Sequence, residues 1–216
     1  MIKYFTYYSL LTLIILCLSA FHYLTLDEQA FRAFLSEDGL IEKTSALLFA
    51  ATSVIMAYNF FMKKTLLRFT GFILFTLAFM REMDWHKKWT TDSILKSRFY
   101  SSDSTPLIEK IIGIAVIILL IFCVTILLKH SVLWLKKLWN KDALSWTVFF
   151  GLGSIITGKL IDSMARLLPF TDALKKENEI GFLVMEESLE LVGAFCFFAL
   201  SIFIWQKVLT PSPHST

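Results

Sequence analysis

Three short stretches hold the residues of this sequence that could do chemistry: Arg81-Glu82-Met83-Asp84-Trp85-His86-Lys87, Gly158-Lys159-Leu160-Ile161-Asp162 and Glu186-Glu187-Ser188-Leu189-Glu190. All three lie inside long apolar runs or at their ends. On a helix, Glu186 and Glu190 stand four residues apart, Glu187 and Glu190 three, Glu82 and His86 four, and Lys159 and Asp162 three, so each pair shares a face. Carboxylates joined by an imidazole form an oxygen-and-nitrogen donor set that suits Mg, Mn or Ca better than zinc. In that reading Glu82, His86, Glu187 and Glu190 are metal ligands, Asp162 is a catalytic base, and Arg81 and Lys159 are catalytic partners of an oxyanion or phosphate. A plainer reading stands beside it: the same acids and bases are interhelical salt bridges that fix helix packing.

The elements that must position these residues are transmembrane helices. The chain is 56% hydrophobic, with 21 Phe and 6 Trp, and its mean hydropathy is +0.64, which is a membrane composition rather than that of a soluble domain. Runs able to cross about 30 Å of hydrocarbon read as helices over Tyr4–Leu26, Thr44–Met62, Leu66–Met83, Ile108–Leu128, Ser145–Leu167 and Glu186–Trp205. The fold expected is an all-α integral membrane protein, a bundle of about six transmembrane helices forming one domain over residues 1–209. Residues 210–216 read as a short disordered tail. The first run is longer than the core of a signal peptide and is read as a span.

The loop 81–110 mixes Trp85, Trp89, Phe99 and Tyr100 with Lys87, Lys88, Lys96 and Arg98, which suits a segment lying in the headgroup layer. An interfacial helix started by Thr91 or Asp92 is expected there, and Ser104-Thr105-Pro106 supplies the start of the next span.

The connections alternate in charge. Lys3, the loops Lys63–Arg68 and Lys129–Ser145 and the C-terminal stretch Gln206–Thr216 carry nine Lys/Arg against the single acid Asp142, whereas the other side and its helix ends hold twelve Lys/Arg and seventeen Asp/Glu. The density of Lys and Arg in the short loops places them, and both termini, in the cytoplasm of a multi-pass cell-membrane protein, with a bacterial inner membrane as the expected setting. Counting along each span from that side puts Arg81, Glu82, Lys159, Asp162 and Glu190 at membrane depth, with Glu42, Lys43, Arg166, Glu186 and Glu187 at the boundary and His22 at the same level. An ionised side chain at the centre of the hydrocarbon costs about 2.5–3.5 kcal/mol on insertion scales, so these groups are expected to converge in one inward-facing cluster.

Cys17, Cys123 and Cys196 each sit in an apolar run, so no disulfide framework is expected. The modest +3 net charge comes from two opposed faces and excludes nucleic acid as a partner. The Gly-rich phosphate loop and the HExxH, CxxC and GxSxG motifs are all absent. Three functions remain open. The first is divalent-cation-dependent binding or processing of a lipid or lipid-linked headgroup at the outer face. The second is a non-catalytic assembly factor or sensor that meets a partner membrane protein through a salt-bridge cluster. The third is an ion- or proton-coupled transporter, against which the apolar cytoplasmic halves of the helices leave no polar path across.

Overall fold

The computed structural model describes residues 39–94, 96–167 and 172–209, together with Ile14, Ile15 and Thr25. The described residues contain helices and no strand. Four helices are long and apolar enough to cross a membrane: Leu40–Met62, Leu107–Trp139, Ala143–Met164 and Gly181–Gln206. The expected spans over Tyr4–Leu26 fall almost wholly outside the described residues, as does the tail.

Helices α1 (Leu40–Met62) and α2 (Leu66–Glu82) form a hairpin joined by Lys63, Lys64 and Thr65. Lys63 is extended and donates its amide to the Asn59 carbonyl, which also accepts a 2.9 Å hydrogen bond from Arg68, so the frayed end of α1 is closed from both sides. Two short helices follow, α3 (Trp85–Trp89) and α4 (Ser97–Ser101). Asp84 turns the chain between α2 and α3 in the left-handed region, at φ 51°, which aspartate tolerates better than most residues.

The interfacial helix therefore differs from the expectation. Thr91 and Asp92 do not start it; α4 begins at Ser97 behind Lys96. Asp92 is instead engaged as an ion-pair partner of Arg98 and Lys96. The Arg98 guanidinium and then the Ser93 amide hold its carboxyl well below the usual carboxylate range. Further ties pin this segment to the next helix: Thr91 donates its amide and hydroxyl to Glu109 at 2.9 and 3.1 Å, and Lys110 reaches the Ser102 carbonyl at 2.8 Å. Phe99 is fully buried, and with Tyr100 it occupies the space where Gly113 lacks a side chain.

Helix α5 (Leu107–Trp139), α6 (Ala143–Leu167) and α7 (Asp172–Leu209) complete the chain. Two expected loops are largely helical. Residues 129–139 extend α5, because no glycine or proline interrupts the chain between Gly113 and Asn140. Residues 172–185 likewise belong to α7. The turn that remains before α6 is closed by Asp142, whose carboxylate accepts from the Ser145 amide and hydroxyl at 2.9 Å each, the pattern of an N-cap.

The core runs along α7, which packs against α6 on one side and α1 on another, while α2 packs on α1 and α5 touches the rest lightly. Phe49 of α1, Phe75 of α2 and Phe197 of α7 meet at ring distances of 6.4 and 5.1 Å. The α6–α7 seam depends on small residues: a Cβ on Gly193 would stand 2.5 Å from Ile155 Cγ1 and 3.1 Å from the Gly151 carbonyl, and one on Gly158 would stand 3.2 Å from the Glu186 carbonyl. The halves of α1 and α2 nearer the basic loop are not wholly apolar, contrary to expectation. They bury Thr52, Ser53, Asn59 and Thr70, and the Ser53 and Thr76 hydroxyls meet at 2.7 Å.

Gly193 and Gly153 separate packing from propensity. Gly193→Val should drive α6 and α7 apart and lower stability by about 1–3 kcal/mol. Gly153→Ala, where the added methyl meets nothing within 4 Å, should be neutral or stabilise by up to about 1 kcal/mol through helix propensity. Thermal unfolding of both variants in detergent checks this; equal effects would remove the close-packing argument.

Candidate functional site

The site grows from the α6–α7 seam. With no side chain on Gly158, the backbones approach closely beside Lys159, and Lys159 reaches across. Its ammonium lies 2.6 Å from Glu186 Oε1 and 2.6 Å from Glu190 Oε1, two carboxylates that share one face of α7 through their four-residue spacing. Glu190 is gripped a second time, by Arg81 Nη2 of α2 at 3.3 Å. Arg81 sits in the last turn of α2, where a cation also meets the negative end of the helix dipole. One buried carboxylate thus ties three helices together.

Among the described side chains, more acids than bases lie around this clasp. Glu82 is buried, and among the described residues it pairs with Arg81, whose Nε lies 3.9 Å away, a separation too long for a hydrogen bond. Glu187 is within electrostatic reach of Glu190, Glu186, Glu82 and Glu42. Glu42, in the first turn of α1, interacts with both Glu82 and Glu187. Five carboxylates, Glu42, Glu82, Glu186, Glu187 and Glu190, therefore face the two cations Arg81 and Lys159. The arrangement ties α2, α6 and α7 together, and among the described side chains it gathers more carboxylates than cations.

No family model matches the chain, and no curated protein or solved structure matches it either. The site must be read from its own geometry.

Of the residues singled out by spacing, Arg81, Glu82, Lys159, Glu187 and Glu190 come together at one end of the bundle. Asp162 does not join the three pairs that form the clasp; it lies half-buried one turn further along α6. His86 belongs to α3, but its ring, the Arg166 side chain and the whole of His22 lie outside the described residues. Among the described residues no group of three or more His, Cys, Asp or Glu side chains is arranged to hold a metal ion. Spacing puts Glu186 at the membrane boundary, outside the candidate ligand set but on one helical turn with Glu187 and Glu190 that Arg81 and Lys159 neutralise in the salt-bridge reading, and it is one of the two carboxylates bound to Lys159. Its four-residue offset from Glu190 was the available signal. The sequence puts Glu42 at the mouth of its helix, and its approach to Glu82 is a tertiary contact that spacing along the chain does not show.

Pairing rather than charge alone should decide stability here. Lys159→Met leaves Glu186 and the buried Glu190 short of a partner and should cost roughly 1–3 kcal/mol. Adding Glu186→Gln to Lys159→Met should recover part of that loss, with a coupling of about 0.5–3 kcal/mol in a double-mutant cycle. Strictly additive losses would show that the 2.6 Å contact carries no interaction energy.

Proposed function

We propose that this chain is a non-catalytic multi-pass membrane protein, an assembly factor or sensor, whose charged cluster is an interhelical lock at the outer membrane face. The observation that carries this reading is the engagement of both central cations. Lys159 lies 2.6 Å from two carboxylates and Arg81 3.3 Å from one of them, so each already has a carboxylate partner within the bundle. Glu82 and Glu187, the described carboxylates outside the three pairs of the clasp, favour a cationic group of a partner membrane protein over an anionic ligand.

The proposed topology has six spans. It adds α2, 17 residues and about 25 Å long, and the 4–26 run to the four long apolar helices. The setting proposed is a bacterial inner membrane with both termini cytoplasmic, supported by the basic residues Lys63, Lys64, Lys129, Lys136 and Lys137 at the end of the bundle away from the lock. A cysteine introduced at Ser102 should react with an impermeant thiol reagent added to intact cells, and one at Ser131 should not. The opposite pattern would invert the orientation.

A second reading, divalent-cation-dependent binding or processing of a lipid headgroup, is favoured by the surplus of acids over bases around Glu82 and Glu187. Thermal unfolding of the purified protein in detergent distinguishes the two. The lock reading expects a melting temperature indifferent to Mg, Mn, Ca and chelator. Stabilisation by one of these ions that chelator removes and Glu187→Gln abolishes would replace it with the cation site, by linkage of binding to folding.

A further inference from the structure

Helix α5 is the least engaged of the long helices, and what it buries lies on one side, at Gly113, Cys123 and Ile126. The opposite side carries a second pattern. Starting at Leu107 and stepping alternately four and three residues as far as Trp139, every position reached is exposed, and all but Thr125 are large hydrophobes. Such an alternation is the seam of a coiled coil, and here it runs the whole 33-residue length of the helix.

The two sets of seam positions differ in kind. With Leu107 at a d position, the a positions within the span are Ile111, Ile118, Thr125 and Val132, all β-branched, while Leu107, Leu128 and Leu135 share the d positions with Ile114 and Ile121. β-Branched residues at a with leucine at d favour two parallel strands. Two copies inserted the same way in one membrane are necessarily parallel. Charge permits the pairing as well, because Lys129 and Lys136 fall at e, where a parallel copy presents the uncharged g residues Val124 and Ser131.

Lipid tails do not account for the whole stripe. The helix is 33 residues and about 50 Å long, against about 30 Å of hydrocarbon. At a tilt of about 40°, the upper end of the usual range, it still projects about 38 Å along the bilayer normal. Lys129, Lys136 and Lys137 put the excess at the basic end, where Val132, Leu135 and Trp139 remain exposed, Trp139 by 89%. Apolar surface beyond the hydrocarbon is covered favourably only by protein.

We propose that α5 is the surface through which this protein pairs with a second copy of itself, the two α5 helices packing in parallel along the Leu107–Trp139 stripe. The stripe is opposite the buried face of α5, so the pairing does not depend on the charged lock.

Oxidative cross-linking of the full chain in its membrane tests this, with the native protein as the background for its own cysteines. Leu128→Cys and Val132→Cys, on the stripe, should each give several-fold more disulfide-linked dimer than Leu133→Cys or Lys137→Cys, which are also exposed but lie off it. Donor- and acceptor-labelled copies reconstituted together in phosphatidylcholine vesicles should show energy transfer, and Val132→Glu/Leu135→Glu should lower it several-fold. If that double variant does not fold, Trp139→Glu alone should act in the same direction. Equal cross-linking at all four positions, or energy transfer that the folded glutamate variants leave unchanged, overturns the proposal. So does its absence in vesicles that hold this protein alone, which would assign the stripe to lipid or to a different protein.

Discussion

Glu190 is the constraint on which the acidic end of this bundle depends. Its carboxylate is buried in α7, and burying an ion is unfavourable unless partners compensate. Lys159 and Arg81 do so from α6 and α2. Because the two cations come from helices distant in sequence, satisfying one carboxylate fixes the relative rotation of three helices. Such pairs are weak evidence for net stability, but they discriminate strongly among packings, since any rotation that breaks them leaves a buried charge alone.

The clasp is possible only because of what surrounds it. Gly151, Gly158 and Gly193 remove the side chains that would hold α6 and α7 apart, and in an apolar medium helices associate through such close contact rather than through exclusion of water. Lys159 needs this proximity to reach Glu186 and Glu190 together. The aromatic contact of Phe49, Phe75 and Phe197 then sets α1 and α2 against the same face of α7. Small residues, rings and charges are thus three parts of one packing solution.

How far the sequence could be read follows from range. Local periodicity located the long helices to within a few residues of α1, α2 and α6, and the membrane cost of charge brought Arg81, Glu82, Lys159 and Glu190 to a common level. It failed where polar composition was taken for loop: residues 129–139 and 172–185 are rich in charge yet lack a helix breaker apart from Gly181, so α5 and α7 run on. It also failed at Asp92, whose ion pair with Arg98 competes with the capping role its side chain suggests. The pairing of Lys159 with Glu186 is hidden because helical spacing relates Lys159 only to Asp162 on its own helix, and Glu186 lies on another. Only the approach of α7 chooses between them.

The length of α5 has a geometric consequence. Residues 107–128 supply an apolar cylinder of about 33 Å, close to the thickness of the hydrocarbon layer. The remaining turns, carrying Lys129, Lys136 and Lys137, continue for about 16 Å as a stiff rod. Because α6 starts at Ala143, only four residues beyond Trp139, the tip of that rod is tied to the start of the returning helix. Lys136 and Lys137 therefore sit at the join of two antiparallel helices, about 10 Å along the axis from Lys129, which exceeds the screening distance of about 8 Å at physiological salt.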